Sequence, residues 1–86
     1  MNNPRNPEDE SVSREIERLD TEMQEMKKQQ EMCLQRKKQL MAAEDPAKGV
    51  FFSEEIHTMQ MDYLRLEVEA ETRRRKINRL RLGYEC

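Results

Sequence analysis

The chain has 86 residues, 35% hydrophobic and 40% charged, with two Gly, three Pro, two Cys, no Trp and a formal net charge of −2. A chain of this size forms at most one small domain with little buried surface, and the excess of charge excludes a compact mixed fold in favour of long solvated helices or disorder, between which periodicity decides. No apolar run reaches the ~18 residues of a membrane span, and the polar opening MNNPRNPEDE lacks the apolar stretch of a signal peptide; the expected setting is intracellular, cytoplasmic or nuclear, with no membrane.

Residues 1–6 read as a flexible N-terminal tail with nothing to pack against. A first helix is expected over 7–43. Asn6 suits the N-cap, Pro7 the first helical position, and Glu8, Asp9 and Glu10 place negative charge at the positive end of the helix dipole. From there to Ala43 no Gly or further Pro interrupts, and Glu, Gln, Lys, Met and Leu dominate, all strong helix formers. At about 1.5 Å per residue this segment spans ~55 Å.

Its apolar residues follow a heptad. Ile16, Met23, Gln30 and Lys37 fall at a, and Val12, Leu19, Met26, Cys33 and Leu40 at d; seven of these nine are apolar. A hinge is expected over 44–52, EDPAKGVFF. The residue before Pro46 resists helical geometry, Pro46 cannot donate the next hydrogen bond, and Gly49 supplies a freely turning backbone.

A second helix is expected over 53–82, with Ser53 as its N-cap, Glu54 and Glu55 in the first turn, and Arg79 and Arg81 near the C-terminal end. Gly83 sits where a left-handed capping residue is wanted, and residues 83–86 form a cap and tail. This heptad puts Ile56, Tyr63, Ala70, Ile77 and Tyr84 at a, and Met59, Leu66, Arg73 and Leu80 at d. Only Arg73 breaks it.

The two repeats fit one antiparallel register. With the hinge centred on Lys48, numbers of opposed residues add to 96, and every seam position meets a seam position: Val12 with Tyr84, Ile16 with Leu80, Leu19 with Ile77, Met23 with Arg73, Met26 with Ala70, Gln30 with Leu66, Cys33 with Tyr63, Lys37 with Met59, Leu40 with Ile56. The flanking charges then oppose Asp20 to Arg74, Lys27 to Glu67, Glu22 to Lys76 and Arg36 to Asp62, all attractive. Parallel self-pairing instead sets Asp62 against Glu67, Lys76 against Arg81 and Glu15 against Asp20, three repulsions offset by two attractive contacts, Glu69 with Arg74 and Glu22 with Lys27. Charge is also blocked: residues 8–25 hold eight acids and two bases, 27–38 five bases and one acid, 53–71 six acids and one base, and 72–82 six bases. The fold class expected is all-α, an antiparallel two-helix coiled-coil hairpin that completes a larger helical bundle with itself or with partners. Gln30, Lys37 and Arg73 each replace an apolar side chain worth about 1.5 to 3 kcal/mol when buried, so the hairpin alone is expected to be marginal, while these residues penalise slipped registers.

A second apolar surface lies outside the seam. Met61, Leu64 and Val68 recur at helical spacing on the second helix; Leu34 and Met41 lie near the same end of the first, with Phe51 and Phe52 in the hinge. These seven residues are the candidate partner-binding surface. Glu71 to Leu80, ETRRRKINRL, is superficially similar over ten residues to the basic region of basic helix-loop-helix proteins, but no second dimerising helix follows, and the similarity is not adopted. Arg73, Arg74, Arg75, Lys76, Arg79 and Arg81 form a candidate basic patch for phosphate or nucleic acid, weighed against a basic helix end that answers the acids of the first helix.

His57, the single His, reads as a surface residue, Cys33 as a small seam residue, and Cys86 as a terminal thiol capable of an incidental intermolecular disulfide. There is no Gly-rich phosphate loop, no nucleophile beside a base and no metal-ligand spacing, so no catalytic, cofactor-binding or metal residue is assigned and no enzyme or small-molecule substrate is expected. The function expected is a protein-protein interaction module, an adaptor or structural subunit of a larger complex, with a nuclear or nucleic-acid-associated protein as the alternative.

Overall fold

A computed structural model describes residues 7–83, with side-chain environments from Glu10 onward. Helix α1 runs Pro7–Ala43, a single 3-10 turn covers Pro46–Lys48, and helix α2 runs Ser53–Leu82. The helices fold back along each other as an all-α two-helix hairpin. A compact globule of this length has a radius of gyration of roughly 12 Å. The observed 20.0 Å is that of a rod, so every residue has a neighbouring helix on one side only.

The hinge makes the reversal with its backbone groups paired. Asp45 and Val50 exchange two N–H to carbonyl bonds of 2.9 Å, forming an antiparallel bridge across the turn. Inside it the Lys48 N–H donates to Asp45 O at 3.0 Å and Gly49 N–H to Pro46 O at 3.1 Å. Gly49 has φ +69°, a conformation in which a side chain is strained, and this left-handed residue turns the chain toward α2. Gly83 repeats the device at the end of α2, with φ +78° and its N–H on the carbonyls of Arg79 and Leu80.

The start of α2 corrects one expectation. Phe52, not Ser53, occupies the N-cap position, with φ −127° and ψ 41°, and no side chain of the cap residue bonds the first turn. Glu44 takes over part of that work from across the hinge: its Oε2 accepts the Phe52 N–H at 3.0 Å. The Ile56 N–H to Phe52 carbonyl bond of 2.9 Å then closes the first helical turn, leaving Ser53 exposed one residue inside it. The expected Asn6 cap, the Tyr84 seam position and Cys86 lie outside the described residues.

The seam lies between the helices. Leu19, Leu40, Leu66 and Ile77 are the buried apolar side chains among the described residues. Val12, Ile16, Met23, Met26, Gln30, Cys33 and Lys37 on α1, and Ile56, Met59, Tyr63, Ala70, Arg73 and Leu80 on α2, are half-buried. Two helices cannot surround a side chain, so most seam positions retain one edge in water.

Each polar intruder at Gln30 and Arg73 has a bonded arrangement. Gln30 Nε2 donates to the Tyr63 carbonyl on the opposite helix at 3.2 Å. Arg73, 28% exposed at its side chain, donates from Nε to Glu22 Oε1 on α1 at 2.7 Å and from Nη1 to its own helix at Glu69 O, 3.1 Å. No buried side-chain polar atom among the described residues lacks a partner. The contact of Glu22 with Arg73 and the bridge of Asp45 with Val50 both join residues whose numbers add to 95, one residue from the expected register.

Candidate interaction surfaces

The heptad turns positions 34 and 41 of α1 and position 64 of α2 to one flank of the hairpin. There Leu34, Met61 and Leu64 meet over the half-buried seam residues Cys33, Met59 and Tyr63, with Lys37 and Gln60 at the edge, and enclose an open groove of about 390 Å³. Leu64 is 50% exposed and Met61 51%, large apolar side chains held at the surface by the helices that carry them. Met41, Phe51 and Val68 are likewise exposed, so the apolar surface continues from the groove toward the hinge and outward along α2. Phe52 differs from the rest of the expected set: it is half-buried, with its N–H engaged by Glu44.

The opposite flank carries a second recess of about 380 Å³, lined by Gln29, Met32, Cys33, Arg36 and Met59. Met32 is 68% exposed and was not singled out by the sequence, because it stands alone on its face with no apolar neighbour at helical spacing. Val50 and Leu82 are further exposed apolar residues outside the expected surface. Val50 lies in the hinge bridge, and Leu82 ends α2.

The charges assort differently from the expected cross-helix pairs. Asp20 accepts from Gln24 Nε2, Arg74 turns to Glu71, and Asp62 stands 4.0 Å from Arg65. Neither Lys27 with Glu67 nor Arg36 with Asp62 forms an ion pair among the described residues. Between the helices, Glu22 pairs with Arg73 at 2.7 Å and Glu15 with Lys76 at 3.7 Å. Further pairs run within a helix: Arg18 to Glu15 and Glu22, Arg65 to Glu69, Arg74 and Arg75 to Glu71. Neighbours three or four residues along a helix are always within reach, whereas a cross-helix pair requires matching heights, and the nearer partner wins.

These pairs leave their mark on the carboxyls. The hydrogen bond from Arg74, aided by Arg75, holds Glu71 down to about 2. Arg73 with Arg18 lowers Glu22, and Arg18 with Lys76 lowers Glu15. The basic tract is thereby largely answered within the chain. Arg73, Arg74, Arg75 and Lys76 each face a glutamate, and Arg79 also has a partner, whereas Arg81 stays exposed near the end of α2.

Among the described residues, no group of three or more His, Cys, Asp or Glu side chains could hold a metal ion, and no helix is long and apolar enough to cross a membrane. His57 is exposed, and Cys33 is a free, half-buried thiol at the floor of both recesses. Comparison with protein-family models, with curated proteins and with solved structures finds no match to this chain.

Proposed function

We propose that this chain is a non-enzymatic protein-protein interaction module, a small helical adaptor or structural subunit of a larger intracellular complex, which docks by helix packing through its hinge-proximal apolar flank. The observation that carries the reading is the groove of Leu34, Met61 and Leu64 on a hairpin with four buried apolar side chains among the described residues. Large apolar groups gathered at the surface are stabilised when another helix covers them, and a groove between two helices accepts the apolar stripe of a third. The test is to replace Met61 and Val68 together by Glu. Both are exposed, so helicity should persist while the sedimentation coefficient of the native complex falls. A chain that keeps the same partners in that variant does not use this face.

The basic tract supports the alternative less well, because nucleic-acid binding would require Arg73, Arg74, Arg75 and Lys76 to exchange their intramolecular glutamates for phosphates. A steep salt dependence of nucleic-acid binding that disappears on replacing those four residues would reverse this ranking.

A further inference from the structure

We propose that the occupant of the groove is a second copy of the chain, docked hinge beside hinge about a two-fold axis that runs along the rod. The inference rests on the reading of the hinge-proximal flank as a docking surface and adds the identity and orientation of the occupant. It comes from the charges on the two edges of the groove. The α1 edge carries Lys27 and Lys38, with Glu31 between them, and the α2 edge carries Glu67; all are exposed, and none has an ion-pair partner among the described residues. One edge is therefore net basic and the other acidic. A surface of that kind is complementary to itself once rotated so that unlike edges meet.

Only one rotation does this while keeping apolar against apolar. A two-fold axis along the rod lays α1 of one copy over α2 of the second at matching distance from the hinge. Leu34 then meets Leu64 of the second copy, Glu67 of that copy falls between Lys27 and Glu31, and farther along Asp20 meets its Arg74, which also bonds Glu71. A two-fold axis across the rod through the groove lays α1 over α1, setting the net basic edge of Lys27, Glu31 and Lys38 against itself. Sliding the copies until acids meet bases in that orientation carries the groove off its counterpart. The favoured arrangement is a four-helix bundle in which each α1 has an α2 on two sides, so every adjacent pair of helices is antiparallel and the helix dipoles alternate. The core then gains a third position per heptad, the one occupied by Leu34 and Met41.

The test uses the purified full chain with Cys33→Ala and Cys86→Ser and spin labels on Lys48→Cys. The chain should sediment as a dimer at about 100 µM, and the two hinge labels should lie within about 25 Å, against about 40 Å or more for the crosswise arrangement. Leu64→Glu should yield a helical monomer. Lys27→Glu should weaken the dimer roughly tenfold, and adding Glu67→Lys should restore it. A monomer at that concentration, distant hinges, or a dimer that survives Leu64→Glu overturns the proposal, the last outcome indicating exchange of helices between copies instead. If the chain is monomeric and Leu64→Glu still removes it from its native complex, the second copy is excluded while the docking surface stands; if neither property depends on Leu64, both fall.

Discussion

Truncating Leu19 and Ile77, alone and together, probes how the hairpin is held. Their side chains are 3% and 4% exposed, and the Glu22 to Arg73 contact one turn away places them across the same layer within one residue. Leu19→Ala removes three carbons, about 2.4 kcal/mol at ~0.8 kcal/mol per buried methylene. A rod only two helices thick lets neighbours settle into the gap, so the loss stays near the lower end of the roughly 2 to 5 kcal/mol found for such truncations. At about 4 to 8 °C per kcal/mol for a domain of this size, each single variant should unfold roughly 10 to 20 °C earlier. The double variant should lose about 0.5 kcal/mol or more less than the two singles combined, because the second truncation enlarges a gap already opened. Leu19 and Leu40 lie about 30 Å apart along α1 and should combine additively. Thermal and urea unfolding followed by helical circular dichroism at low micromolar concentration measures all of these. Additivity for Leu19 with Ile77, or a loss below about 1 kcal/mol for either, contradicts the packing described.

Gly49→Ala should lower stability by about 1 kcal/mol through its positive φ alone, since an added Cβ meets no atom within 4 Å, and Gly49→Asn should lower it less; equal melting temperatures for the three chains would count against the left-handed turn. Gln30→Leu should raise the midpoint of urea unfolding, because a half-buried amide yields to an apolar side chain while the Tyr63 carbonyl keeps its partner within α2; a lower midpoint would mean that the cross-helix bond outweighs the burial. Glu71, Glu22 and Glu15 are held below the ordinary carboxylate value of 4.5, Glu71 to about 2, so their stabilising contribution is complete above pH 4.5 and is lost as pH falls toward 2. Melting temperature should decline through that window, and the decline should be shallower in Glu71→Gln, whose acid-to-neutral difference is the readout.

The hairpin was legible because its cause is periodic. Apolar residues at a and d mark the faces of two helices whatever the side-chain rotamers, and Asp45-Pro46 with Gly49 marks the reversal. What was misread depends on fine geometry. Ser53 has the chemistry of an N-cap, but the Asp45 to Val50 bridge and the Glu44 carboxylate put Phe52 at that position. The four expected cross-helix ion pairs assumed that a charge seeks the opposite helix, and Arg74 shows why that fails, with Glu71 one turn away on its own helix. Spacing makes Arg73 a break in the seam, whereas the side chain is half-buried there and its head reaches Glu22. For the outer flank, residue type and spacing picked out Leu34, Met61 and Leu64, but their convergence on one groove depends on how far each helix is rotated about its axis.

The groove and the seam form one continuous apolar body, and this bears on why the seam carries polar residues at all. Cys33, Met59 and Tyr63 are seam positions and also line the groove, with Lys37 at its edge. They remain half-buried because that flank of the seam is open. Under the proposed docking, an incoming helix covers these residues together with Leu34, Met61 and Leu64, so it completes the hairpin's core in the act of binding it. Stability then rises with partner concentration by mass action, and the hairpin's melting temperature becomes a readout of occupancy. A seam of uniform Leu would have made the hairpin stable alone but weakened this coupling. Gln30 and Arg73, bonded across the helices, instead hold the register while leaving apolar stabilisation to be gained from a partner.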